Sequence, residues 1–171
     1  IAEYNLRPRQ TIEVTAKAKL VIEQKLYDLE TESGFQQIDQ DLIADYTNNT
    51  KLWPTSMLKS LDLNAEELRE KDVLGAIKEV QTKLITDAPP FNPDSDFTNR
   101  NADETIKTWS TVDYADRLIA SLRAIGVPPR MVGGVVTDNQ MTRFEKPVKA
   151  AWVEAYVPDI GWITVDPVLN K

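Results

Sequence analysis

Thr111-Val112-Asp113-Tyr114-Ala115-Asp116-Arg117-Leu118-Ile119-Ala120-Ser121-Leu122-Arg123-Ala124-Ile125-Gly126-Val127-Pro128-Pro129-Arg130-Met131-Val132-Gly133-Gly134-Val135-Val136 reads as a helix running straight into a strand. Ala115, Leu118, Ile119 and Leu122 recur at helical spacing. Gly126 then stands where a left-handed residue closes a helix, with Val127 as the hydrophobic contact and Pro128 as the stop. Thr111 is placed to cap a helix that begins near Val112. Arg130 to Val136 has the near-continuous apolar character of a buried strand. Ala150-Ala151-Trp152-Val153-Glu154-Ala155-Tyr156-Val157-Pro158 supplies a second strand and Gly161-Trp162-Ile163-Thr164-Val165-Asp166-Pro167 a third, joined through a tight Pro158-Asp159-Ile160-Gly161 turn. A helix followed by antiparallel strands is an α+β arrangement.

Upstream, Met57, Leu58 and Leu61 sit at helical spacing. Asn64 with Glu67 forms the pattern of a capping box, and Asp72 caps a helix carrying Val73, Leu74, Ile77, Val80 and Leu84 on one face. Ala88-Pro89-Pro90-Phe91-Asn92-Pro93 ends that helix and opens a polar loop to about Glu104. Thr31 to Pro54 is polar, with Asn48-Asn49-Thr50 and Trp53-Pro54 as turn material. Before it, Ile12, Val14, Ala16, Ala18, Leu20 and Ile22 alternate with polar residues, as in a half-buried strand; a helix over Ala16 to Leu29 competes with it. Residues 1–52 are therefore expected to be an N-terminal extension, the end of a preceding β domain, and 53–171 the main domain. Because the chain starts with Ile1 rather than Met, it is expected to be a piece of something longer.

The 171 residues are 42% hydrophobic and 27% charged, as in a globular domain. The sequence has neither cysteine nor histidine. That removes disulfides, thiol nucleophiles, Cys/His zinc sites and histidine-based triads. A net charge of −7 and a pI of about 4.7 argue against nucleic acid and anionic lipid as partners. No apolar run approaches the roughly 18 residues of a membrane span.

Four blocks of the sequence resemble the transglutaminase-like superfamily, a papain-like group of acyl-transfer enzymes and peptidases. They are Asp113-Tyr114-Ala115, Leu122-Arg123-Ala124-Ile125-Gly126-Val127-Pro128-Pro129-Arg130-Met131-Val132-Gly133, Ala151-Trp152-Val153-Glu154-Ala155-Tyr156, and Gly161-Trp162-Ile163-Thr164-Val165-Asp166-Pro167. The resemblance implies a papain-like core of helices packed on an antiparallel sheet, with an N-terminal extension outside it. It also implies a cleft that accepts peptide, and a parent protein at the cell surface or outside the cell.

The departures from that pattern bear on function. Thr111 stands where the family carries its cysteine nucleophile and Ala150 where it carries its histidine; Asp166 alone keeps the third position. Trp109 replaces a glycine two residues before the nucleophile. Such chemistry needs a thiolate formed by transfer of a proton to imidazole, and a hydroxyl without a base stays neutral near pH 7. The expectation is a catalytically inactive domain that binds a protein or peptide, or serves as a structural module, beside other domains of the same parent chain. Trp109, Thr111, Tyr114 and Trp152 are the candidate binding residues; no cofactor or metal is expected. Trp109 either plugs the vacated centre or lines a stacking surface.

The competing class is residual hydrolase or acyl-transfer activity. It would use Thr111 with Lys107 or Lys149, or carboxylates drawn from Asp113, Glu154 and Asp166. Asp94, Asp96 and Thr98 have the opening spacing of a calcium loop. Asn99 and Thr105 stand where that loop needs glycine and glutamate, so 94–104 reads as a solvated acidic loop. Asn48-Asn49-Thr50 matches a glycosylation acceptor pattern that is common by chance.

Overall fold

The computed structural model describes residues 33–92, 108–136 and 148–168. Expectations for the 12–22 alternation, the competing helix at 16–29, Lys107 and the 94–104 loop fall outside those residues.

Among the described residues five α-helices and three strands follow one another: α1 Gln40–Tyr46, α2 Met57–Ser60, α3 Ala65–Arg69, α4 Val73–Asp87, α5 Thr111–Ile125, β1 Pro129–Val136, β2 Val148–Val157 and β3 Gly161–Val165. The strands form one antiparallel sheet in the order β1-β2-β3, and α5 packs on it with α4 behind. This is the α+β, papain-like arrangement that the sequence led us to expect.

Local chemistry sets the ends of these elements. Asp72 caps α4 by accepting from the Gly75 amide at 2.8 Å. Asn64 caps α3 through the Glu66 amide, but Glu67 takes its hydrogen bond from the Asn64 side chain rather than closing the box on backbone. At the end of α5, Gly126 adopts φ +84°, and the Val127 amide reaches back to Leu122 O at 3.0 Å. A side chain at Gly126 would be strained there. The β2–β3 hairpin turns through positive φ at Asp159 and Gly161.

Two local expectations are corrected. The cap of α5 is Ser110, not Thr111: Ser110 Oγ accepts from the Asp113 amide, Asp113 Oδ2 accepts from Ser110 N, and Thr111 becomes the first helical residue. The stretch 31–54 also contains helix, a 3-10 turn at Phe35–Gln37 and α1, capped by Asp39. Seven residues with Leu42 and Ile43 as their large aliphatic side chains give too little periodicity to detect.

The core gathers Leu68, Val73, Ile77, Val80 and Leu84 from α3 and α4, Leu118, Ile119, Leu122 and Ile125 from α5, and Val153, Ala155 and Val157 from β2. Ile38 belongs to the same core, and Ser33 Oγ donates to Pro158 O at 3.0 Å. Trp53 lies against Met57 and Ala120 and donates its indole N–H to buried Asp116 at 2.7 Å. Alternation along β2 turns Ala151, Val153, Ala155 and Val157 into this core. The other face carries Trp152, Glu154 and Tyr156. There Glu154 pairs with Arg130, and the Arg130 guanidinium lies 4.3 Å from the Trp162 ring centre.

Candidate functional site

The N-terminus of α5 abuts β2. Thr111 is buried, and its Oγ1 accepts a hydrogen bond from the Ala151 amide at 3.1 Å. The hydroxyl therefore touches the peptide unit that joins Ala150 to Ala151. Val153 pairs with Val165, so Asp166 continues opposite Trp152 and falls on the sheet face of Ala150, two ladder positions away. Thr111 thus meets the peptide unit that follows Ala150, and Asp166 lies on the sheet face of Ala150.

Asp166 is 8% exposed. Its Oδ1 accepts from the Val168 amide at 2.9 Å, and its main-chain oxygen accepts from Gln81 Nε2 of α4 at 3.2 Å. These contacts tie the end of β3 to α4 and to the chain just beyond it.

The first turn of α5 is held by charge. Asp113 Oδ2 accepts from Ser110 N at 2.8 Å and Ser110 Oγ at 2.6 Å, while Asp113 Oδ1 lies 3.7 Å from Arg117 Nη1. Both members of the pair are buried. The Arg117 guanidinium lies 4.3 Å from the centre of the Trp109 ring, and Tyr114 meets that indole edge-on at 5.0 Å. Trp109 is 8% exposed, and its backbone forms a parallel bridge with Phe91 through Asn92 N to Trp109 O and Trp109 N to Pro90 O. Trp109 and Tyr114 are therefore neighbours in one buried cluster. Trp152 projects instead from the face of β2 opposite Ala151, over Gly134. A Cβ at Gly134 would come within 2.6 Å of the Trp152 ring, which demands glycine there.

The open space lies beside Thr111. A groove of about 420 Å³ is lined by Val112, Met131, Gly133, Gly134, Lys149, Ala150 and Ala151. Val112, Met131 and Gly133 were not legible as site residues. The groove is created by register, which sets Gly133 against Ala151, and by the missing side chain at Gly133, where an added Cβ would meet nothing. Glu154 stands away from this groove, in its ion pair with Arg130. Among the described residues no cluster of three or more acidic groups could hold a metal ion. Arg123, stacked on Trp53, has its pKa lowered by burial yet remains a cation.

The family model of the transglutaminase-like superfamily matches residues 64–167, from the cap of α3 to the residue after Asp166. The chain belongs to that superfamily. Among solved structures, this transglutaminase-like domain is similar to a candidate cysteine protease from Cytophaga hutchinsonii, with 20% identity over 76% of this chain and 43% of the other, and a TM-score of 0.57. It is also similar to the periplasmic domain of TgpA from Pseudomonas aeruginosa. That domain in its ethylmercury-bound form gives 18% identity over 78% of this chain and 53% of the other, with a TM-score of 0.54. A second structure of the domain gives 20% identity over 78% and 49%, with a TM-score of 0.54. At these identities the likeness establishes the fold. The chain spans about half the length of the structures it matches. No curated protein matches it. No helix among the described residues is long and apolar enough to cross a membrane.

Proposed function

We propose that this transglutaminase-like domain does not catalyse acyl transfer and acts as a protein- or peptide-binding or structural module of a larger, extracytoplasmic protein. The observation that carries this reading is the state of Thr111. Its hydroxyl is buried, it accepts from the Ala151 amide, and the residue before that amide is alanine, not an imidazole. The 171 residues contain no cysteine or histidine to supply the missing pair. In a triad that works as a unit, loss of nucleophile or base costs about six orders of magnitude in turnover. The groove over Gly133 and Ala151 remains as a place for an extended ligand. The extracytoplasmic location draws on the periplasmic origin of the TgpA domain.

The test is turnover of a glutamine-containing peptide, with and without a primary amine acceptor, by the native chain and by Thr111→Ala. The expected result is no product from either protein above the uncatalysed rate. Product formed by the native chain and lost in Thr111→Ala would establish a threonine nucleophile and overturn the proposal.

A further inference from the structure

The groove beside Val112 joins an apolar lining to a single cation. Gly133 opposes Ala151 and Val135 opposes Lys149, so Gly133 and Lys149 are diagonal neighbours on one sheet face. Gly133, Val135 and Lys149 are exposed, Val135 at 58%. Among the described residues that line the groove, Lys149 alone is ionisable, and no described carboxylate forms an ion pair with it. Its chain neighbours Val148 and Ala150 carry no charge, nor do Val135 and Val136 across the ladder. In a chain of net charge −7 this leaves a cation facing an apolar recess with nothing nearby to neutralise it. Ligand sites are mostly apolar concavities of about 300–1,000 Å³ in which a few polar groups fix orientation, and a groove of about 420 Å³ falls in that range. The matching ligand carries an apolar body and a negative group close together.

We infer that the groove captures the carboxy-terminal residue of a peptide. Its apolar side chain lies over Gly133, beside Val112 and Met131, and the terminal carboxylate meets the Lys149 ammonium. This rests on the binding reading proposed above and names its ligand class. Diagonal neighbours across an antiparallel pair are about 7–8 Å apart, within reach of a long side chain such as lysine. One terminal residue supplies both groups within that span, because its carboxylate and its side chain leave the same Cα. An acidic residue inside a peptide would leave the apolar group to another residue. The side chain enters over exposed Gly133, so capture leaves the hydrogen bonds of β1 as they are.

The probe is Ac-Gly-Gly-Leu with a free carboxylate. It is compared with its carboxy-terminal amide, with Ac-Gly-Gly-Ala and with hexanoate by amide NMR titration of the 171-residue chain. The leucine acid is expected to give saturable shifts at Gly133, Gly134, Ala150 and Ala151. The amide should bind about three-fold more weakly, the size expected of an exposed ion pair. The alanine acid should bind about tenfold more weakly through lost apolar burial. Lys149→Glu, at an exposed position, should make the amide the better ligand. Gly133→Val should weaken binding of the leucine acid by about tenfold or more by filling the groove. An added Cβ there meets nothing, and unchanged amide dispersion away from β1 verifies the fold. Equal binding of acid and amide at the groove would overturn the terminal-carboxylate assignment and leave the binding reading standing. Hexanoate that binds as tightly as the leucine acid would give the groove to a free aliphatic carboxylate and overturn the peptide assignment. Shifts that map elsewhere, or none with any probe, would overturn the inference. Product from any peptide would overturn the inactive reading above, and this inference with it.

Discussion

Asp113→Ala lowers the stability of the chain by about 3–5 kcal/mol in urea unfolding, more than any exposed charge change. The carboxylate does two jobs in the first turn of α5. It completes the capping box by accepting from Ser110 N and Oγ, a contribution of about 1 kcal/mol. It also faces Arg117, whose side chain is 3% exposed and lies over Trp109. Deleting the carboxylate takes away the charge that faces a buried guanidinium, and that exceeds the loss of the cap. The contrast is Lys83–Asp87 on α4, a half-exposed i,i+4 pair where Asp87→Ala should cost no more than about 0.5 kcal/mol. If Asp113→Ala cost less than about 1 kcal/mol, Arg117 would not depend on Asp113 for its burial. The account of how Trp109 and the start of α5 are fixed would then be wrong.

The second large effect is chemical. Thr111→Cys combined with Ala150→His reacts with iodoacetamide at pH 5 about thirty-fold faster than Thr111→Cys alone. An ordinary thiol with a pKa near 8.5 is ionised to about one part in 3,000 at that pH, whereas a thiol paired with imidazolium is ionised almost fully. The lower basicity of the paired thiolate gives back about one and a half to two orders of magnitude in nucleophilicity. The net gain remains large enough to measure. Because the native chain has no cysteine, the introduced thiol is the sole site of labelling. The prediction depends on geometry, since Thr111 Oγ1 touches the peptide between positions 150 and 151. Equal rates for the two variants would mean that side chains at 111 and 150 do not meet.

Much of the fold could be read because local signals agreed with one another. Gly126, Val127 and Pro128 announce the end of α5, and Val127 does make the expected contact back to Leu122 O. Val73, Leu74, Ile77, Val80 and Leu84 of α4 are all buried, as their spacing indicated. The Pro158–Gly161 turn brings β2 and β3 into register. Shorter elements were hidden. α1 has about two turns, too short for a periodic pattern to show, so its stability comes from packing that a sequence window does not contain.

The site was legible in a different sense. Blocks of residues led to Thr111, Ala150 and Asp166, and the structure sets Thr111 against the peptide unit that follows Ala150. The groove itself was not legible, because it depends on which residue of β1 faces which residue of β2. Nothing in the sequence states that Gly133 opposes Ala151 and leaves space beside Val112. The surroundings of Trp109 were equally invisible, since its ring meets Arg117 two turns into α5 and its backbone meets Phe91, 18 positions earlier in the chain. Both are tertiary facts.

As proposed above, the centre of this domain binds without reacting. Its most direct test is an amide NMR titration of the native chain with a panel of peptides and cell-wall peptide fragments, the ligand signals being followed in the same tube. Saturable shifts are expected at Gly133, Gly134, Ala150 and Ala151, with every ligand recovered intact. Appearance of a product signal, or ligands that shift residues away from this groove, would contradict it.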